Sequence, residues 1–167
     1  MVKRKMGKLL VVNLHGLINV PRGTRETLIQ LGIGKRFAAA VVGDDPVSWG
    51  SVHLCKDYVA WAPLDAELLT SLLQSRGRVS NSKTLDEEQL KALGYKTYAE
   101  LAQAIIKGET TSTLSSVKSS TKGLSLKPFF GLSPPKGGFK RSSRRAFREG
   151  GILGENPLLP EIVRRMI

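Results

Sequence analysis

The chain has 167 residues, 41% of them hydrophobic, and 26 Lys and Arg against 14 Asp and Glu give it a net charge of +12. That apolar share supports a folded core and excludes a wholly disordered chain, while the charge implies a polyanionic partner, of which nucleic acid is the commonest soluble kind. No apolar run reaches about 18 residues, so no bilayer span is expected; the run Leu9 to Val12 is too short for a signal peptide, and Cys55, the single cysteine, excludes an internal disulfide.

The first half reads as alternating strands and helices. KLLVVNLHG (Lys8 to Gly16) has strand length and β-branched residues. Pro21 then precedes a helical stretch, Arg22 to Leu31, with Gly32 placed as its stop. FAAAVV (Phe37 to Val42) is the second strand. Asp45 and Pro46 supply an N-cap and first-turn proline for a helix to about Lys56, with Val52 and Cys55 facing inward. DYVAWA (Asp57 to Ala62) completes a β-α-β-α-β order. Farther on, Leu68, Leu69, Leu72 and Leu73 form the apolar stripe of a helix ending at Gly77. Thr84 with Glu87, and Thr97 with Glu100, have capping-box spacing for two more helices that stop at Gly94 and Gly108.

Charge divides the chain unevenly. Residues 1–64 carry +5, residues 65–109 carry −1, residues 110–150 carry +8, and residues 151–167 are balanced. The expected organisation is an α/β core over 1–64, a helical extension over 65–109, a Ser/Thr-rich linker over 110–126, and a basic arm with the C-terminal segment over 127–167. Within the arm, SPPKGGFKRSSRRAFR (Ser133 to Arg148) holds Lys136, Lys140, Arg141, Arg144, Arg145 and Arg148 without an acid. Cations without counter-charges repel one another, so the segment is expected to stay extended until it meets phosphates. Gly137 and Gly138 would let the backbone approach RNA closely, and Phe139 and Phe147 can stack on unpaired bases.

No catalytic constellation assembles. His15 and His53 are the only imidazoles, no zinc-ligand spacing occurs, and Gly32-x-Gly34-Lys35 completes neither phosphate-loop motif. Ser-x-x-Lys, present at Ser115/Lys118 and Ser119/Lys122, sits in a low-complexity tract without its companion motifs. The expectation is a protein with no enzymatic activity and no cofactor. Basic positions remain as the candidate site. Arg22 and Arg25 begin the first helix one turn apart, and Lys35 and Arg36 follow its end. Ser48, Trp49 and Gly50 crowd the start of the second helix, whose free amides can take a phosphate, with His53 and Lys56 farther along it. Arg76 and Arg78 flank Gly77, and Lys127 opens the arm. On charge alone, a chromatin-like or RNA-chaperone factor would fit these positions.

LLVVNLHG, LGIGKRFAAAVV, WGSVHLCKDYVAW, LKPFFGLSPPKGGFK (Leu126 to Lys140) and the closing IVRRMI together resemble one family across nearly the whole chain. It is the universal large-subunit ribosomal protein family called L-thirty in bacteria and L-seven in eukaryotes, in its archaeal long form. Gly131 and the lengthened Ser/Thr tract depart from its pattern. The resemblance implies an α+β, ferredoxin-like core: a three-stranded antiparallel sheet with two helices on one face, then a helical region and an extended basic arm. It also implies a structural role in the cytoplasmic ribosome. The implied partners are large-subunit rRNA of the 23S type, the neighbourhood of 5S rRNA and adjacent ribosomal proteins, with neither a membrane nor a small-molecule substrate.

Overall fold

The structure, a computed structural model, describes residues 7–43, 45–79, 83–107, 126 and 129–167. The Ser/Thr-rich stretch at 110–125, the helix stop at Gly108 and the candidate Lys127 lie outside the described residues. The first half follows the expected order: β1 (Lys8–Asn13), α1 (Arg22–Gln30), β2 (Ala38–Gly43), α2 (Pro46–Leu54) and β3 (Val59–Pro63). β1 lies between its neighbours and is antiparallel to both, with Leu10 opposite Val41 on one side and Ala62 on the other. Local chemistry sets the boundaries. The Pro21 carbonyl accepts the Arg25 amide at 2.9 Å, Pro46 occupies the first turn of α2, and Gly32 leaves α1 at φ +76.

The sheet is larger than expected. It has six strands in the order β4-β2-β1-β3-β6-β5, where β4 is Phe129–Gly131, β5 is Ser142–Ala146 and β6 is Gly151–Glu155. β4 extends it antiparallel to β2, with Phe130 opposite Ala39, while β6 runs parallel to β3 and β5 parallel to β6. The anticipated three-stranded sheet is therefore the middle of a mixed one. The extended arm is corrected too, because its described part supplies strands. The segment's charge masks its apolar residues in the sequence, yet Phe130, Leu132, Ile152 and Leu153 are buried among those cations.

α1 and α2 cover one face of the sheet, as the resemblance implies, and the later helices cover the other. Successive strand residues point to opposite sides of a sheet. Leu9, Val11, Ala40 and Val59 meet Leu28 of α1 and Val52 of α2. Leu10, Val12, Val41 and Ala62 meet the other layer: α3 (Ala66–Arg76), α4 (Glu87–Ala92), α5 (Tyr98–Lys107) and α6 (Leu159–Arg164). The leucine stripe of α3 is wholly buried there. α4 starts later than the Thr84 capping box implied. Asp86 is its N-cap, and Thr84 Oγ1 donates to that carboxylate at 3.2 Å instead. At α5, Thr97 Oγ1 accepts the Glu100 amide at 3.2 Å, and Glu100 accepts the Lys96 amide at 2.9 Å, close to the anticipated reciprocal cap.

Candidate nucleic-acid interface

Asn13, buried at the end of β1, organises the first part of the site. Its side-chain oxygen accepts the amides of His15 at 3.0 Å and Gly16 at 2.8 Å, and its amide nitrogen donates to the Ile33 carbonyl at 2.7 Å. This turn holds the loop after β1 against the residues that lead into β2. Arg36 is fixed there twice over. Its Nε donates to the Leu14 carbonyl at 3.2 Å, and its guanidinium lies 4.8 Å from the centre of the Phe37 ring. Asn19 and Phe37 both adopt left-handed backbone, at φ 57 and 62, a conformation that costs non-glycine residues and often accompanies functional sites. Ser143 and Arg144 of β5 close the same space. The result is a cleft of about 200 Å³ lined by His15, Asn19, Arg36, Ser143 and Arg144 with Leu14 and Ile18, and no acid.

The arm follows a folded path to reach it. Phe37 accepts the Leu132 amide at 3.0 Å, and Met166 and Arg165 accept those of Ser133 and Lys136, each at 3.0 Å. Gly137 and Gly138 then turn at φ +78 and +71, and a Cβ on either would meet nothing within 4 Å. Their requirement here is the left-handed turn itself, so the close approach of backbone to RNA is not needed to explain them. Phe139 packs 6.2 Å from Phe37 between ring centres, and the Arg141 guanidinium sits 5.2 Å above the Phe147 ring. Beside them opens a wider cleft of about 420 Å³, floored by Ile152 and Ile162.

The remaining candidates are dispersed. Arg22 pairs with Glu26 at 2.9 Å on the open face of α1, and Arg25, Lys35 and Lys56 are exposed. At the start of α2, Asp45 accepts from Ser48 Oγ at 2.9 Å, which puts a carboxylate where the bare amides were expected to meet phosphate. Gly50 is exposed on α2, and Trp49 and His53 are stacked 5.2 Å apart beside Trp61. Arg76 is drawn inward: its Nη2 donates to Ser133 Oγ at 2.6 Å and to the Ile167 main-chain oxygen at 2.9 Å. Arg78 is exposed beside a bridge to Thr84, and Lys136, Lys140, Arg145 and Arg148 face solvent. Cys55 is fully buried, and burial pushes its thiol up to about 11, so it is chemically quiet. Among the described residues, no three His, Cys, Asp or Glu side chains gather to hold a metal.

No family model matches the chain. Individual curated proteins do. The large ribosomal subunit protein uL30 of Nitrosopumilus maritimus is 38% identical over 159 residues, which is 95% of this chain and 97% of that one. The uL30 proteins of Cenarchaeum symbiosum and Methanothrix thermoacetophila are 36% and 33% identical, over 96% and 93% of this chain and 99% and 97% of theirs. The chain belongs to the uL30 family.

Membership in uL30 makes it a structural, non-enzymatic protein of the large ribosomal subunit and places it in the ribosome. No helix among the described residues is long and apolar enough to cross a membrane. Within this uL30 chain, Arg36 and Arg144 stand far apart in sequence as separate candidate cations, and the fold brings them to one cleft. Asn19, Ser143 and His15 join them there without being candidates from the sequence. Their signal was faint: Asn13-x-His15-Gly16 has Asx-turn spacing, but the partner segment lies more than 120 residues away in sequence.

Proposed function

We propose that the chain binds and stabilises large-subunit rRNA of the 23S type, close to 5S rRNA and in contact with neighbouring ribosomal proteins. One observation carries the RNA-binding reading: Arg36 and Arg144, with His15, Asn19 and Ser143, converge from distant parts of the chain on an acid-free cleft. A guanidinium presents several donors in a rigid fork that suits phosphate oxygens. Arg36 is already held by Leu14 and Phe37, so it loses little freedom when a phosphate arrives. The 5S neighbourhood and the protein partners follow from the family resemblance.

The test is the salt dependence of binding to a large-subunit rRNA fragment. Arg36→Gln and Arg144→Gln should each lower the slope of log affinity against log salt by about 0.7 to 0.9, one phosphate contact apiece. The double variant should lose less than the sum if both guanidiniums hold one phosphate. An unchanged slope in both single variants would overturn this assignment. Cross-linking within intact large subunits, read at 5S rRNA and at neighbouring proteins, tests the location.

A further inference from the structure

Resting on the RNA-binding reading, the geometry points to a second, different subsite: the wider cleft receives the base of an unpaired nucleotide. Its volume, about 420 Å³, has room for a base and its sugar, and Ile152, Ile162 and the rings of Phe139 and Phe147 supply apolar wall. Such surface is costly to leave wet and has no polar partner for a phosphate. The cleft's mouth is the opposite in character. Lys140, Arg141 and Arg165 line it, which suits the sugar-phosphate chain on either side of an inserted base.

Base stacking on aromatic side chains tolerates any sequence, because every base has a π-face, and arginine adds a cation–π contribution. Arg141, already 5.2 Å above Phe147, offers that surface in a prepared form. Glu161 is the acid among the lining residues. Its carboxylate accepts hydrogen bonds, so an exocyclic amine on the base suits it while a phosphate does not. Asn156 is tied to the protein on both sides: its amide donates to the Ile152 carbonyl at 3.1 Å and its oxygen accepts the Leu158 amide at 2.9 Å, which holds the floor in place. An apolar side chain from a neighbouring protein would fit the floor, but it would bring no anion to Lys140, Arg141 and Arg165, of which Arg165 reaches the Gly138 carbonyl at 3.4 Å. The base satisfies both.

Arg141 of this cleft stands just before β5 and Arg144 of the other site stands within it, three residues on, about 10 Å along an extended chain. One RNA strand can thus place a phosphate in one and a base in the other. Duplex RNA has no free base to offer.

The full-length protein, labelled at isoleucine methyls, is titrated with pentaadenylate RNA, with a short blunt RNA duplex and with ribose 5-phosphate. Pentaadenylate should shift the methyls of Ile152 and Ile162 by ring current, and the duplex and ribose 5-phosphate should leave them in place. Phe147→Leu, whose methyl spectrum also reports that it is folded, should weaken pentaadenylate about tenfold and leave duplex affinity unchanged. Equal shifts with ribose 5-phosphate, or pentaadenylate bound with both methyls unmoved, would overturn the base site. That result, with a duplex still sensitive to Arg36→Gln and Arg144→Gln, removes the base site alone. Failure of both RNAs to bind removes the RNA reading with it.

Discussion

Arg76, at the end of α3, reaches two acceptors in the C-terminal part of the chain. Next to Gly77 and Arg78 it reads as half of a basic patch, yet its guanidinium is half-buried and joins α3 to Ser133 and to Ile167. A charged donor serving two acceptors in a partly dry place contributes more than a solvated one. Removing it leaves the Ile167 oxygen short of a partner. Arg76→Ala should therefore lower the unfolding free energy of the RNA-free protein by about 1.5 to 3 kcal/mol. Lysine should restore little, because a point ammonium does not reproduce the two-pronged geometry. Urea unfolding measures the loss, and the salt slope of RNA binding should stay as it was. A normal midpoint with a shallower slope would mean that Arg76 meets phosphate instead.

At the scale of elements, what was legible depended on how strongly apolar residues and turn formers punctuate the chain. β1 to β3 are runs of five or six residues bounded by glycine or proline, so the first half could be read almost in place. β4 is three residues long, and β5 reads SSRRA with no apolar alternation, so neither gives a periodic signal. The cleft shares that difficulty. Arg36 and Arg144 could be singled out as cations, but their meeting depends on β5 packing beside β6, which no local pattern announces. Phe130 tests whether β4 belongs to the sheet. It is 1% exposed, opposite Ala39, and packed in the layer that includes Leu132 and Val163. Phe130→Ala should cost about 3 to 5 kcal/mol, through lost burial and the cavity left behind. A cost below about 0.5 kcal/mol, within the range of ordinary surface changes, would detach β4 from the core.

The described residues form one sheet clothed on two sides, and the two sides come from different parts of the chain. Residues before position 65 supply β1 to β3 with α1 and α2, which protect only one face. On the other face Leu10, Val12, Leu14, Val41 and Ala62 are all buried, and their cover comes from the leucines of α3, from Leu101 and Ile105 of α5, and from Ile162 and Val163 of α6. A fragment ending at residue 64 would present that entire face to water, beyond the apolar patch that a soluble monomer usually tolerates. The fragment should therefore bind a hydrophobic dye and melt without a sharp transition. The full chain should unfold in one cooperative step by both near- and far-ultraviolet circular dichroism. Arg36 and the turn after β1 stay in the fragment but rest on that uncovered core, so the fragment should also lose RNA affinity beyond the contacts deleted with the arm. A fragment that melts cooperatively near the temperature of the full chain would show that α1 and α2 suffice, and the second layer would then be an addition to the core rather than half of it.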